Sequence, residues 1–172
     1  METFRLRMKD LRSKTLFKSS EEVNDLLNNT LKRISEIFHE ENEDRYPEGV
    51  LLLSSIIEES LTILITMKLI ILAFPAIGKP NFALASEDMK KMMNYYADLS
   101  LYHKIRTAFI LGLIDNVTYR SLESFRAKRN PFIHSFFIKE ERPDPKKIYE
   151  IASIILNNLR KKLKYYKLLG KS

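Results

Sequence analysis

The amino-acid sequence predicts an all-α fold, an up-and-down antiparallel bundle of four to five helices. Helix-forming residues dominate the chain, whereas only 4 of its 172 residues are glycine and 6 are proline, too few for the turns of a many-stranded fold. Apolar residues recur at three- and four-residue steps, the period of an amphipathic helix. Because 45% of the residues are hydrophobic and 30% are charged, the chain can bury one core, and we expect a single domain over residues 1–172.

The first helix is predicted over residues 19–39. Ser19 and Glu22 form a capping-box pattern, and apolar residues then follow at helical spacing. The preceding residues 1–18 alternate basic and apolar side chains, so they fit a helical arm, a strand or a loose tail equally well. An acidic stretch after the helix ends at Pro47 and indicates a solvated loop.

The second helix is predicted over residues 48–74, ending before a proline, and it is apolar nearly all round. Such a helix lies at the centre of a bundle or at a subunit interface. Glu58 and Glu59 interrupt it, and charges at this place argue against a membrane span. Since a buried carboxylate needs a partner, either one of these two pairs with Arg126 or Arg129 and orients it, or both face solvent.

Three further helices are predicted in the second half of the chain, over residues 98–112, 116–130 and 145–169. Asp98, Asn116 and Asp144 are of the residue types that cap helix N-termini. The first of these helices ends at Gly112, since glycine is common just after a helix C-terminus. The second ends where Pro131 removes a backbone donor.

The composition narrows the classes of function. The chain has no cysteine, which excludes disulfide frameworks, thiolate metal sites and cysteine nucleophiles and fits a reducing, cytoplasmic setting. Its first residues lack the apolar core of a secretory signal, and we expect no membrane partner. The formal net charge of +7 is typical of proteins with a polyanionic partner, although a solvated basic surface explains it equally well.

The most informative part of the sequence is the run Arg129-Asn130-Pro131-Phe132-Ile133-His134. RNA is cleaved without metal when its own 2′-hydroxyl attacks the adjacent phosphorus, provided that a base, an acid and a cation are in place. Histidine titrates near neutral pH and suits either proton-transfer step, whereas the arginine fork matches phosphate oxygens. The alternative interpretation is a helix end whose arginine pairs with a carboxylate and whose histidine and asparagine bind nearby backbone groups.

The run resembles the motif of HEPN domains (higher eukaryotes and prokaryotes nucleotide-binding), in which a basic residue and a histidine flank four residues. The preceding segment, residues 101–114, is similar to the corresponding part of the mannitol operon repressor branch of that superfamily. The resemblance covers residues 101–134 and implies a helical bundle that forms a homodimer. In active members it implies a metal-independent endoribonuclease, with Arg129 and His134 as the catalytic pair and Asn130 as a supporting polar residue.

Two functions follow as hypotheses. The first is a HEPN-type endoribonuclease that acts on RNA without any cofactor, as the toxin of a toxin–antitoxin pair whose antitoxin would be its protein partner. The second is a non-catalytic regulatory or interaction protein of the mannitol-repressor-like branch. The intact arginine, asparagine and histidine favour the first, whereas Pro131, a departure from the commoner HEPN pattern, and the lack of a second histidine near the motif favour the second.

The spacing of the motif raises a geometric problem. Arg129 and His134 are five positions apart, which places them about 140° apart around an ideal helix. We therefore expect Pro131 to distort the helix and turn both residues toward one cleft. One chain supplies one motif histidine, so a symmetric dimer would be needed to supply both acid and base.

A second set of candidates lies at the basic end of the last helix, namely Arg160, Lys161, Lys164 and Lys167. These side chains would contact phosphates of a nucleic acid. The preferred interpretation is a solvated basic helix end that is favourable for the helix dipole. No metal site is expected, because His39 and the acidic residues after it lack a fixed ligand spacing.

Overall fold

The computed structural model describes residues 20–40, 43–77, 91, 94–134 and 143–169, with side chains for all of these except 20–27, 70, 73–77, 133, 134 and 165–169. The predicted arm over residues 1–18 and the capping residue Ser19 lie outside the described residues. The described part is all-α, which confirms the predicted fold class, and it contains no strand. Its long helices are α1 (Ser20–His39), α2 (Tyr46–Ile77), α3 (Leu101–Ile110), α4 (Asn116–His134) and α5 (Pro145–Leu169). Residues 94–98 are also helical, and a short 3-10 helix, Glu43–Arg45, lies in the stretch that was predicted to be a loop.

Helix α2 is the centre of the bundle and packs against each of the other four long helices. Most of its buried side chains are aliphatic, and four of them, Leu53, Ile57, Leu61 and Leu64, are fully buried. Burying one such side chain contributes roughly 1.5–3 kcal/mol, so this helix provides much of the stability of the bundle. The stretch Glu43–Leu69 is long and apolar enough to cross a membrane, yet 67% of its most apolar window is buried inside the structure, as in a core helix.

One end of the bundle is held by a stack of three aromatic rings from α1, α2 and α5. The ring of Phe38 lies 5.4 Å from that of Tyr46 and 4.6 Å from that of Tyr149, centroid to centroid. Gly49 allows this close approach, since a Cβ atom at that position would lie 2.6 Å from Cε2 of Phe38. Offset aromatic pairs of this kind contribute about 1 kcal/mol beyond the area that they bury.

Two prolines lie inside helices rather than ending them. Helix α2 passes Pro75 and runs to Ile77, and α4 passes Pro131 and runs to His134, so both helices extend beyond their predicted ends. A proline in a helix costs one hydrogen bond and a steric clash with the preceding turn. In α4 the next residue, Phe132, is buried in the core, and this packing holds the last turn helical despite the proline.

Two predicted caps are shifted in the structure. Helix α3 is capped by Ser100, not by Asp98, and the Ser100 hydroxyl lies 2.8 Å from Nδ1 of His103. Helix α4 is capped by Asp115, whose Oδ1 accepts a hydrogen bond of 2.7 Å from the backbone N–H of Thr118. The predicted cap Asn116 is instead the first helical residue. In each case the residue directly before the helix takes the cap position; the Asp115 side chain reaches a free N–H group there, whereas the Ser100 side chain makes no such bond.

Two further predictions about helix ends are confirmed. Oδ1 of Asp144 accepts a 2.9 Å hydrogen bond from the backbone N–H of Lys146, so Asp144 caps α5. Gly112 follows the end of α3 with φ of 67°, a left-handed conformation that glycine adopts without strain. The backbone N–H of Leu113 donates to the carbonyl of Ala108 over 2.9 Å, which completes a Schellman motif.

Candidate functional site

The candidate site lies where α2, α3 and α4 meet, around the carboxylate of Glu58. Its Oε1 lies 3.6 Å from Nη2 of Arg129, and its Oε2 lies 3.9 Å from Nζ of Lys104. The Ser54 hydroxyl also donates to Oε1 over 3.2 Å. The predicted pairing of Glu58 with an arginine of the motif is thereby confirmed, with Arg129 as the partner.

Lys104 is the most deeply buried charged residue described, with no exposed surface at all. Its ammonium donates to the backbone carbonyl of Ala97 over 3.0 Å and pairs with Glu58. Burying an ammonium group costs free energy unless the group is paired and hydrogen-bonded. The contacts with Ala97 and Glu58 offset that cost for Lys104. The sequence contained a signal for this residue, because Lys104 falls on the same helical face as Leu101 and Ala108, but the prediction missed it.

The charges of the site do not cancel. Lys104 and Arg129 each contribute one positive charge and Glu58 contributes one negative charge, so the three groups together remain cationic. Arg129 keeps 25% of its side-chain surface exposed, whereas Lys104 is sealed inside. Any uncompensated positive charge that solvent or a ligand can reach is therefore on the Arg129 guanidinium.

Asn130 and Glu58 fix the orientation of that guanidinium. Nη1 of Arg129 donates to Oδ1 of Asn130 over 3.2 Å, while Nη2 faces Glu58. A planar guanidinium held at two nitrogens has little rotational freedom left to lose when it binds an anion. The predicted supporting role of Asn130 is thus compatible with its contacts, which are to the arginine of the motif.

Arg126 pairs with neither of the two glutamates of α2 that were proposed for it. Its Nε and Nη2 both donate to Oε2 of Glu123, over 3.3 and 2.8 Å. Its Cζ also lies 5.1 Å from the ring centroid of Tyr102. Glu59 is half-buried on α2 and has no contact with Arg126 among the described ion pairs.

His134 is the last residue of α4, and its side chain lies outside the described residues. The backbone is helical throughout from Arg129 to His134, so the angle of about 140° between these positions applies. Pro131 therefore does not end the helix.

The basic end of α5 lies away from the motif. Nη2 of Arg160 donates to Oδ1 of Asn28 on α1 over 3.0 Å, and Lys161 and Lys164 are exposed. The side chain of Lys167 lies outside the described residues. In the same part of α5, Asn158 contacts Thr118 near the start of α4, roughly three helical turns from Arg129. The structure thus does not bring Arg160, Lys161 or Lys164 to the candidate site.

The described residues contain no group of three histidine, aspartate or glutamate side chains that could hold a metal ion. Near His39, the Glu40 carboxylate is engaged by Nη1 of Arg45 over 2.7 Å. The Glu40 carboxylate thus forms an ion pair with a neighbouring side chain.

Comparison of the chain with protein-family models, with curated proteins and with solved structures found no match. The HEPN resemblance rests on residues 101–134 alone.

Proposed function

We propose that this chain is a HEPN-type, metal-independent endoribonuclease that acts as a homodimer. The observation that supports it best is the Arg129 guanidinium, which is held by Glu58 and Asn130, is partly exposed and belongs to a site with excess positive charge. Such a group is suited to a phosphodiester, whose transition state gains negative charge. The proposal also rests on the resemblance of residues 101–134 to HEPN domains.

In the proposed reaction the RNA 2′-hydroxyl is the nucleophile. A base removes the 2′-hydroxyl proton while the oxygen forms a bond to the adjacent phosphorus. The bond from phosphorus to the 5′-oxygen breaks, and an acid gives that oxygen a proton. The products are a 2′,3′-cyclic phosphate and a free 5′-hydroxyl. Arg129 stabilises the charge on the non-bridging oxygens, and His134 carries out one of the two proton transfers.

The second proton-transfer group comes from the other subunit of the dimer. Each chain has one motif histidine, and positions 129 and 134 lie about 140° apart on a continuous helix. A two-fold axis next to α4 would place Arg129 and His134 of both chains around one groove. Glu58 and Asn130 act on the reaction only by positioning Arg129.

The proposed biological role is that of a toxin. An endoribonuclease in the cytoplasm attacks the cell's own RNA, so its activity has to be held in check. An antitoxin protein that covers the Arg129 site would do this, and the excess positive charge there favours a partner with an acidic surface.

The proposal is tested by incubating the purified chain with a mixed RNA in excess chelator. Wild-type protein should cleave the RNA, and His134→Ala should reduce the rate by about a hundredfold or more. Lys32→Ala is the matched control, because Lys32 is 78% exposed on α1 and distant in the chain from the motif. Cleavage by His134→Ala at the wild-type rate would remove the site assignment.

The second candidate is a non-catalytic regulator of the mannitol-repressor-like branch. The observation that favours it is the continuous helix across Pro131, because positions five residues apart on an ideal helix lie about 140° apart. Binding of RNA or of a protein partner without cleavage of any RNA tried would support this function over the first.

A further inference from the structure

We propose that Tyr102, Arg106 and Arg126 form a binding surface for a single strand of RNA, which leads to Arg129. This group is called the Tyr102 surface below. The inference rests on the proposed function and deepens it, because it names unpaired RNA, rather than duplex RNA, as the substrate class. None of these three residues was assigned to nucleic-acid binding from the sequence.

The charge of the two helices that carry the surface supports a polyanionic ligand. Helices α3 and α4 together contain six lysine and arginine residues and a single glutamate. One of the six, Lys104, is buried beside Glu58, and Glu123 pairs with Arg126, so a positive excess remains on the accessible part of the two helices. Neutralising phosphates with such cations releases counterions, which drives binding without any need for sequence readout.

The contacts show how the cations are arranged around one ring. Nη1 of Arg106 donates to the Tyr102 hydroxyl, and its Cζ lies 5.3 Å from the ring centroid. Cζ of Arg126 lies 5.1 Å from the same centroid. One half-buried tyrosine thereby holds both guanidinium groups in place. The two arginines therefore lose little further conformational freedom when a ligand binds.

The surface is continuous with the proposed cleavage site. Arg126 and Arg129 are three positions apart on α4, so their side chains are neighbours on the helix surface. Arg106, Tyr102, Arg126 and Arg129 therefore form a row that starts on α3 and ends at the motif. A row of point contacts of this kind can follow one flexible nucleic-acid backbone.

Arg106 is the member of the row whose charge is least compensated. Its side chain is exposed and forms no ion pair within the described residues, whereas Arg126 is paired with Glu123. The fold does not need a positive charge at position 106, because the hydrogen bond of Arg106 is to the uncharged Tyr102 hydroxyl. Arg106 is thus the residue through which the surface can be tested separately from the motif.

The reaction itself selects unpaired RNA. Attack by the 2′-hydroxyl needs its oxygen in line with the bond from phosphorus to the departing 5′-oxygen. The regular backbone of an A-form helix keeps that oxygen out of line, so the strand at Arg129 has to be free to rotate. Proteins also generally contact single-stranded RNA in extended or splayed forms that a duplex does not offer.

The test is a binding titration of a fluorescein-labelled single-stranded RNA against the His134→Ala protein, which leaves the RNA intact. In this background Arg106→Gln should weaken binding roughly tenfold and lower the slope of log affinity against log salt by about 0.7. Lys32→Gln, the exposed control on α1, should change affinity by less than about twofold. A duplex of the same sequence should bind more weakly than the single strand.

Equal weakening by Arg106→Gln and Lys32→Gln, or equal affinity for the single strand and the duplex, would overturn the Tyr102 surface while leaving the proposed cleavage untouched. Undiminished cleavage by His134→Ala would instead remove the catalytic assignment. In that case the titration is repeated with a non-cleavable 2′-O-methyl RNA, and its result applies to the surface alone. No binding of RNA by the wild-type protein would overturn both.

Discussion

Nη2 of Arg129 lies 3.6 Å from Oε1 of Glu58, so the arginine of the motif is tied to the central helix of the bundle. The same carboxylate lies 3.9 Å from the fully buried Lys104. Glu58 thus forms ion pairs with two cations that lie on two different helices. Its first role is structural, because it keeps a buried ammonium paired, and its second is to orient the guanidinium that we propose binds phosphate.

Glu58→Gln should lower the free energy of unfolding by about 2 kcal/mol, because it leaves the buried ammonium of Lys104 without its carboxylate. The loss is smaller than for a fully buried pair, since Glu58 is 22% exposed and solvent screens the charge. Urea denaturation at pH 7 measures the change. The double variant Glu58→Gln/Lys104→Met is the matched control.

That double variant removes both charges and should be more stable than Glu58→Gln alone. A double-mutant cycle over the two positions should give a coupling energy of about 1–2 kcal/mol. Strict additivity of the two single substitutions would show that Glu58 does not stabilise Lys104.

Asp115→Ala should destabilise the protein by about 1 kcal/mol at pH 7, because Asp115 caps α4 through the N–H of Thr118. Asn116→Ala is the matched control and should have little effect, since Asn116 lies inside the helix. Thermal unfolding of both variants measures the difference. Equal destabilisation by the two substitutions would contradict the assignment of the cap.

The contribution of Asp115 should also depend on pH. The hydrogen bond from the Thr118 backbone holds the pKa of the Asp115 carboxyl below its ordinary value of 3.8. The folded state therefore favours the ionised form, so the stabilisation is complete above pH 3.8 and is lost as the pH falls through the lower folded pKa. The difference in stability between wild type and Asp115→Ala should shrink in this acid range. A difference that is unchanged there would contradict the prediction.

Gly49→Ala should disturb the contact between α1 and α2. An added Cβ would lie 2.6 Å from the Phe38 ring, which is already stacked between Tyr46 and Tyr149. Overpacking of this kind typically costs about 1–3 kcal/mol. Differential scanning calorimetry measures it, with Lys32→Ala as an exposed control on α1. Unchanged thermal stability of Gly49→Ala would show that the ring can move aside freely.

The proposed shared groove requires two chains. Sedimentation equilibrium at micromolar concentration should give twice the mass of one chain. A mass of one chain under the same conditions, in a preparation that still cleaves RNA, would contradict a site built from two motifs.

The fold and one contact of the site were predictable from the sequence because they depend on local pattern and on charge. Helix α2 is apolar nearly all round, so a carboxylate in its middle needs a cationic partner. Arg129 was one of the two partners predicted for it. The choice between Arg126 and Arg129 depends on how α2 and α4 cross. That crossing is a property of the packed bundle and has no local signal.

The remaining differences have separate physical causes. Asp115 and Asn116 are both good caps at adjacent positions, so the sequence could not decide between them. Pro131 lies inside α4 because burial of Phe132 outweighs the local penalty of the proline. The burial of Lys104 was not predicted, although a lysine on an apolar helical face itself indicates a buried partner.

The chemical identity of the RNA ends tests the central proposal most directly. In excess chelator, wild-type protein should produce 2′,3′-cyclic phosphate and 5′-hydroxyl ends, as measured by mass spectrometry of a defined oligonucleotide. Arg129→Gln should lower the rate by about a hundredfold to a thousandfold, and Arg129→Lys should retain more activity than Arg129→Gln. Ends with 3′-hydroxyl and 5′-phosphate groups, or full activity in Arg129→Gln, would contradict the account.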